Sequence, residues 1–584
     1  MDSYLKRKPK KNEDNLSPKK SKKEVCPHGV RCYRRNPHHF KEYDHPHFDL
    51  LIGKGDSVNI PDHFPQSKDV YIDQLKILNS LTHNTQSEKQ GIQPSSSGTV
   101  LSNDSQLQSS SSNVVDRVRL SSKNKTTTFI MENKKNVSKP DDSKTMAQKI
   151  KENEPYCLFF SKIPDEPLTC NQQNSITFKD LLCPSLGELK CSLQINFMID
   201  IAWLIEQYIA QGVGKKPLTI IYGDDWPDME KYIQMMLPNV TSHFMKMKDP
   251  FGIHHSKIGI YVYTDHSVRV VVSTANLYFE DWNHYNQGLW VSPKCPVLPD
   301  SCKETDGVGV TAFKTNFLLY LKSYNLPILK DWIEYVKRAD FSAVRTMFVY
   351  SAPGKSYMAN TSSHLQRVGD LLSRHVTLPV KTTPESEGPL SWGIIAQASS
   401  IGSLGKTPGE WLRKFFLGSL SSHKQNSFTE NSNATLNVIY PTVENVLKSF
   451  YGPSGGGCLP YSKNTNEKQK WLQDYLHQWK ADETHRSRIM PHIKTYCRVS
   501  PCLSKLAWFL LTSANLSKSA WGGNIQRDKS VYVRSYEAGV LFLPKFFDEE
   551  FFNIKENSDN SNLFPIMYDL PLVPYQSSDY PWCN

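Results

Sequence analysis

The chain has 584 residues, of which 38% are hydrophobic and 11% aromatic, and carries a net charge of +11. That length allows two or three domains with buried cores, while no apolar run is long enough to span a bilayer and the N-terminus lacks the apolar segment of a secretory signal. The charge is uneven: residues 1–23 hold nine Lys/Arg against three Asp/Glu, a net of +6, so the body is only mildly basic and charge alone does not establish nucleic-acid binding. Twelve cysteines scattered without a dense framework read as reduced thiols of an intracellular protein.

Residues 1–24 form a basic tail. Its clusters Lys6-Arg7-Lys8-Pro9-Lys10-Lys11 and Lys19-Lys20-Ser21-Lys22-Lys23 read as a nuclear localisation signal, against the alternative of a solvated tail with loose affinity for nucleic acid. Residues 25–50 contain Cys26, Cys32, His39 and His45, the donor set of a tetrahedral structural zinc site, with His38 a neighbouring alternative ligand. So short a segment cannot fold by a core alone, and the metal would supply its folding energy. Residues 51–152 are polar and Ser-rich and predict a disordered linker. A helix over 69–81 is conceivable there and is left unassigned.

Residues 153–350 and 351–584 read as two α/β halves. In the first, helical periodicity runs from Ile195 to Ala210, and Leu218–Tyr222 is a short strand before a turn at Gly223-Asp224-Asp225. Strands at 258–263 and 268–273 flank a turn at Thr264-Asp265-His266. The stretch from Phe341 to Val349 leads across to the second half. There, Trp392–Gln397 is a strand followed by a small-residue turn containing Ser399 and Ser400, and Val540–Leu543 is a buried strand. Gly354-Lys355-Ser356 imitates the end of a phosphate-binding loop, but Val349 stands where its first Gly belongs, which dismisses nucleotide-triphosphate binding.

One element occurs twice. His255-x-Lys257 is followed by an apolar run and by Ser273-Thr274-Ala275-Asn276-Leu277, and His492-x-Lys494 by another run and Thr512-Ser513-Ala514-Asn515-Leu516. Lys and Asn are 19 residues apart in the first copy and 21 in the second. In a strand the His and Lys of each pair share a face. A duplication would let two halves meet and bring two imidazoles, two ammonium groups and two carboxamides to one point. That set suits phosphodiester chemistry: one His is nucleophile, the other acid and then base, and the Lys and Asn side chains stabilise the phosphate oxygens without a metal. The symmetry leaves open which His is which. Both rings need an orienting partner, and Glu537 and Gln287 stand in corresponding late positions of the halves, predicting a crosswise arrangement: Glu537 on His255 and Gln287 on His492.

The paired H-x-K with a downstream Asn resembles the phospholipase D superfamily. The Asp that most of its members carry after the Lys is missing from both copies, a departure that marks the tyrosyl-DNA phosphodiesterase family. Phe251-Gly252, Met490-Pro491-His492-Ile493-Lys494-Thr495-Tyr496, Ser513-Ala514-Asn515-Leu516-Ser517 and Arg534-Ser535-Tyr536-Glu537 are similar to that family, from about Pro155 to the C-terminus. The resemblance implies a duplicated phospholipase D-like α/β/α sandwich and a metal-independent DNA-repair hydrolase. It implies that His255 attacks phosphorus at a DNA 3′ end, forming a phosphohistidine, and that His492 protonates the tyrosine leaving group and then activates water, leaving a 3′-phosphate. Its substrates would be DNA 3′ ends, single-stranded, nicked or double-stranded, that carry topoisomerase I peptide or other blocking groups. Ser399, Ser400 and Ser517 are carried over as DNA contacts. The Gly-rich turn Gly455-Gly456-Gly457-Cys458 reads as a loop close to the DNA. Phe251 is either a base-stacking ring or a core aromatic, and His254 is left out of the catalytic set as equally well a buried, satisfied side chain. One chain holds both halves, so a monomer suffices. Cys32-Tyr33-Arg34-Arg35-Asn36-Pro37 and His45-Pro46 resemble the poly(ADP-ribose)-binding zinc finger, which implies polymer contacts by Tyr33 and Arg34. His47 and Phe48 replace that family's usual Gly-Asp. Two other readings remain: a general phospholipase D or nuclease of the same fold, against which the absence of a lipid-binding amphipathic segment argues, and a non-catalytic poly(ADP-ribose) reader.

Overall fold

The computed structural model describes residues 23–26, 40, 43–50, 71, 74–75, 78 and 144–584, except 225–228, 358–360, 380–387, 389–390, 429, 431 and 556–561. The chain divides into two compact units, Met1–Glu132 and Asn133–Asn584. Residues 1–22, Cys32, Tyr33, Arg34, His38 and His39 lie outside the described residues.

In the first unit, Glu24–Val25 and Tyr43–Asp44 pair as parallel strands, with Val25 opposite Asp44. The Cys26 N–H donates to the Asp44 carbonyl at 2.8 Å, so Cys26 and His45 sit side by side just past the strands, both buried. A small aromatic cluster backs them: Phe40 lies 4.4 Å from His45, and Phe48 packs against His47 and Tyr71. Tyr71, Gln74, Leu75 and Leu78 are helical, and Tyr71, Gln74 and Leu75 are buried. The expectation of a structureless linker from 51 is corrected at these positions. Their i, i+3, i+4, i+7 spacing is one helix face and falls inside the 69–81 stretch whose helix the sequence left unassigned.

The second unit begins with helix α1, Met146–Glu152, inside the stretch read as linker. Thr145 and Gln148 form a capping box, and Met146 and Ile150 enter the core of the first half. The first half is one sheet of eight strands: β1 Leu158–Ser161, β2 Ser175–Ile176, β3 Leu189–Asn196, β4 Leu218–Tyr222, β5 Val240–Phe244, β6 Ile258–Tyr263, β7 Val268–Ser273 and β8 Gly288–Val291, in the order β2-β1-β8-β7-β6-β3-β4-β5. The helix read from Ile195 begins only at α2, Ile201–Ala210. Ile195 and Asn196 finish β3, and the Asp200 carboxylate caps α2 by accepting from Ala202 and Trp203 N–H. Apolar residues at 195 and 199 satisfy both strand and helix periods, so the boundary was not legible from spacing.

The second half carries β9 Met347–Ser351, β10 Gly393–Gln397, β11 Leu436–Ile439, β12 Leu476–His477, β13 Thr495–Val499, β14 Lys505–Thr512, β15 Glu537–Phe542 and β16 Phe552–Asn553. Their order is β9-β15-β14-β13-β10-β11-β12, with β16 on β14. Seven strands therefore match one to one with β1-β8-β7-β6-β3-β4-β5, including the parallel trio β3-β4-β5 against β10-β11-β12. The duplication inferred from short motifs extends through seven of the eight strands of each sheet.

Alternate residues of β6 and β7 serve different cores. Ile258, Ile260, Val262, Val268, Val270 and Val272 face a core shared with the second half, whereas Tyr261, Tyr263 and Val271 face the outer layer with α2. The halves approach closely at Gly288, where a Cβ would fall 2.6 Å from Ile493 and Leu511 side-chain carbons. Gly354–Ser356 is a strand paired with Val531–Val533, not a phosphate loop. Every described cysteine is a free thiol, and no described helix is long and apolar enough to cross a membrane.

Candidate active site

Each H-x-K lies just before the second strand of a matching pair, β6 or β13, and its backbone is clamped by the other half. The His255 N–H donates to Tyr536 O at 2.9 Å and Tyr536 N–H to Ile253 O at 3.0 Å. In the other copy the His492 N–H donates to Asn286 O and Asn286 N–H to Met490 O, both at 3.0 Å. Tyr536 and Asn286 immediately precede Glu537 and Gln287. Two equivalent backbone bridges thus carry each imidazole to the orienting residue of the opposite half.

Nδ1 of His255 lies 3.0 Å from Glu537 Oε2, which also accepts from the Ser513 hydroxyl at 2.5 Å. Nδ1 of His492 lies 3.0 Å from the Gln287 amide nitrogen, and Gln287 Oε1 accepts from the Thr274 hydroxyl at 2.8 Å. Thr274 and Ser513 occupy the same position in the two copies, two residues before Asn276 and Asn515. The second ring has a further neighbour: Asp281 Oδ2 is 3.1 Å from His492 Nδ1. A protonated Nδ1 donates to this carboxylate, and a bare Nδ1 accepts from the Gln287 amide. Asp281 is fully buried and its Oδ2 also accepts from the Asn276 N–H. Sequence reasoning missed it because the repeat has Ala520 at the matching distance after Asn515.

The electrostatics follow from burial. Burial pushes Glu537 up, but His255 and the Ser513 hydroxyl bring its carboxyl below the ordinary value. Asp281 behaves likewise, burial being outweighed by His492 and the Asn276 N–H. Burial and Lys494 lower His492 to about 4 despite Asp281, and burial also lowers His255. Lys257 and Lys494 are almost wholly enclosed, and their ammonium groups donate to the carbonyls of His255 and His492. Burial and the charge of Lys494 lower Lys257 to about 7, and burial lowers Lys494 to about 8. Two mutually repelling buried ammonium groups are a cradle for an anion.

The two Asn side chains are held differently. Asn515 Oδ1 accepts from Ser399 N–H, the Ser399 hydroxyl and Ser400 N–H at 3.1, 3.2 and 3.0 Å, leaving its NH2 for a ligand. Asn276 Oδ1 is buried with no partner among the described residues. Ser399 is fully buried and both its donors face Asn515, while the Ser400 hydroxyl donates to Pro460 O at 2.9 Å. Ser399 is therefore committed to positioning Asn515, whereas Ser400 stays partly exposed beside it. The Ser517 hydroxyl accepts from Ala520 N–H as a helix cap, with Gly402 against it. Gly456, read as a loop near DNA, packs under Trp582, whose ring a Cβ would meet at 2.3 Å.

Phe251 is 72% exposed, which removes the core-aromatic reading, and the Arg534 guanidinium lies over its ring. Phe197, unnoticed in the sequence, lies edge-on to His255 at 5.7 Å with Lys257 over its ring. His254 is buried against the Tyr324 hydroxyl at 2.9 Å, and burial lowers it to about 3, so it stays neutral.

The tyrosyl-DNA phosphodiesterase family model matches residues 157–576, and the PBZ domain model matches residues 23–47. Tyrosyl-DNA phosphodiesterase 1 of Drosophila melanogaster is 38% identical, covering 95% of this chain and 98% of the relative. Tyrosyl-DNA phosphodiesterase 1 of Arabidopsis thaliana is 32% identical over 68% of this chain and 69% of its own. The crystal structure of the yeast tyrosyl-DNA phosphodiesterase, 21% identical, superposes with a TM-score of 0.57 over 73% of this chain and 99% of that one, and shares the fold. With a family match across most of the chain and a relative aligned almost end to end, the chain belongs to the tyrosyl-DNA phosphodiesterase family of hydrolases.

Proposed function

We propose that this chain repairs DNA by hydrolysing the bond between a DNA 3′-phosphate and a tyrosine of topoisomerase I, and that other 3′ blocking groups share the route. The observation that carries the reading is the crossed pair of imidazoles, each held through Nδ1 by a residue of one half against a histidine of the other, with a buried lysine two residues after each. Nε2 of His255 attacks phosphorus, a P–N bond forms and the P–O bond to tyrosine breaks. His492 delivers its Nε2 proton to the departing phenolate oxygen. Water then attacks the phosphohistidine, its proton passes to His492, the P–N bond breaks, and a DNA 3′-phosphate leaves. Lys257, Lys494, Asn276 and Asn515 hold the non-bridging oxygens. Bound phosphate neutralises the lysines, removing part of what depresses His492 and favouring its imidazolium on Asp281. The ammonium groups supply the charge that a metal supplies elsewhere, so catalysis needs no cofactor.

At the N-terminus, two buried neighbours, Cys26 and His45, fit half of a tetrahedral site, and Cys32 and His39 would complete it around structural zinc. Zinc bound there supplies folding energy. Tyr33 and Arg34 are the proposed contacts to poly(ADP-ribose), and the basic clusters before residue 24 support action in the nucleus. A monomer suffices.

The test is release of tyrosine from a single-stranded 3′-phosphotyrosyl oligonucleotide in excess EDTA. Wild type releases tyrosine, and His492→Ala traps a DNA–protein adduct. No release by wild type refutes the reading. Zinc content of Cys26→Ser, with poly(ADP-ribose) binding alongside, tests the finger.

A further inference from the structure

A buried arginine joins the two halves behind His492. Arg486 lies six residues before that ring and is wholly enclosed. Burial lowers it to about 9, so it stays charged near neutrality, with no ion pair among the described residues. Its guanidinium reaches into the edge of the first half's sheet, at β1 and β2. Nη1 donates to Ser161 O at 2.8 Å and to Asn286 Oδ1 at 3.0 Å, Nη2 to Gln172 Oε1 at 2.9 Å and to the Ser175 hydroxyl at 3.3 Å, and Nε to Gln172 Oε1 at 3.2 Å. A charge without a counter-ion is costly to bury, and a planar fork offsets that cost only through contacts made at fixed angles.

Two of these contacts lead to His492. The Asn286 carbonyl accepts from the His492 N–H, and its amide nitrogen donates to Arg486 O at 3.2 Å and to Ile489 O at 2.7 Å. Side chain and backbone together lock Asn286 to the turn that delivers the ring. Ser161, gripped through its carbonyl, holds the next residue: its hydroxyl accepts from the Gln287 N–H at 3.0 Å, and the Gln287 amide nitrogen lies 3.0 Å from His492 Nδ1. The other copy is built differently. Asp249 stands six residues before His255 and pairs with Arg534, and Tyr536 is held by stacking on Tyr324 at 4.3 Å.

We propose that Arg486 is a positioning residue for His492. It fixes the ring against Asp281 and Gln287 from across the boundary between the halves, and so serves the steps in which this histidine moves a proton, not the attack by His255. This rests on the reading of His492 as acid and then base. A proton donor must lie within hydrogen-bond reach of its acceptor, and a misplacement of about 1 Å costs about a hundredfold in rate. Lysine at 486 would keep the charge but present one nitrogen, which cannot serve Ser161, Asn286 and Gln172 together.

The experiment compares two single-stranded oligonucleotides, one ending in 3′-phosphotyrosine and one in the 3′-phosphate ester of para-nitrophenol, whose phenolate departs without a proton. Single turnovers with saturating enzyme give rates that do not depend on the folded fraction. In Arg486→Lys, tyrosine release and hydrolysis of the DNA–protein adduct are expected to slow by about tenfold or more, while nitrophenolate release keeps the wild-type rate. Gln172→Ala loosens the same fork at a part-buried partner; it gives a smaller loss with the same split, and it decides the matter if Arg486→Lys does not fold. Arg498→Lys, at another buried arginine of the second half, leaves both rates unchanged. Equal losses on the two leaving groups, wild-type rates in both Arg486→Lys and Gln172→Ala, or the same split in Arg498→Lys overturns the positioning role and leaves the reaction standing. No split between the leaving groups in His492→Ala, or cleavage of neither by wild type, overturns the proposed reaction and this role with it.

Discussion

Asp281 places its carboxylate 3.1 Å from Nδ1 of His492 and so does for this ring what Glu537 does for His255. The two carboxylates are not equivalent in the duplication. The position matching Glu537 is held by Gln287, and the acid has been supplied from the short helix Phe279–Asn283 instead. Both imidazoles end with Nδ1 held beside a carboxylate. Asp281→Asn removes the acceptor that keeps the proton on Nδ1, and a histidine in the wrong tautomer is a poor base. Turnover is expected to fall by about a hundredfold or more. Phenolate is a better leaving group than the water-attack step is easy, so the phosphohistidine adduct accumulates in this variant, whereas Glu537→Gln slows its formation. Single-turnover gels distinguish the two. Wild-type rates in Asp281→Asn would refute the role.

Ser513 and Thr274 tie the orienting side chains from behind. Ser513→Ala removes a hydrogen bond to a buried carboxylate, about 1.5–3 kcal/mol for a charged acceptor, and is expected to slow adduct formation by about tenfold. Thr274→Val removes a neutral hydrogen bond, with a smaller loss confined to the steps of His492. Pre-steady-state rates for both variants measure the difference, and equal losses in the same step would contradict the crossed assignment.

The buried lysines oppose folding. Their ordinary value is 10.5, and the folded values are about 7 for Lys257 and about 8 for Lys494. Between the folded and unfolded values the unfolded chain binds more protons, so stability rises with pH and is lost as pH falls through the folded values. Lys257→Met therefore raises Tm near neutrality, by roughly 2 °C or more, and flattens the rise toward pH 10. Calorimetry across that window without DNA is the measurement. A variant melting lower at every pH would show that Lys257 contributes net stability through Glu537 and Asp281.

Gly456 lies under the Trp582 indole, where a Cβ would be 2.3 Å from ring carbon. Gly456→Ala is expected to cost about 1–3 kcal/mol as overpacking against a rigid ring. Thermal melts of Gly456→Ala and of the double variant with Trp582→Leu test this. Failure of the second change to recover the loss would place the strain elsewhere.

The sequence disclosed the parts of the site that repeat. H-x-K, the Asn element and the late Glu537/Gln287 positions are periodic features of a duplication, and the strands at 258–263 and 268–273 followed from alternation and a turn. Asp281 broke the symmetry that served as the signal, so it was invisible. Phe197 belongs to a loop with no counterpart motif. Ser399 was assigned outward because a Gly/Ser-rich turn looks like a phosphate cradle. Its burial and its two bonds to Asn515 are properties of packing that no local pattern contains. Helix α1 is seven residues in a polar stretch, and only two of them are buried.

The exchange of orienting residues between halves has a consequence for how such a catalyst can arise. Two separate identical subunits joined about a twofold axis would give both histidines the same surroundings and the same chemistry. Once one polypeptide carries both copies, the residues at 287 and 537 can change separately, and one ring can specialise in attack while its twin manages protons. On the roles proposed above, that division of labour needs both copies in one chain, and neither half alone carries both a histidine and the carboxylate that holds it.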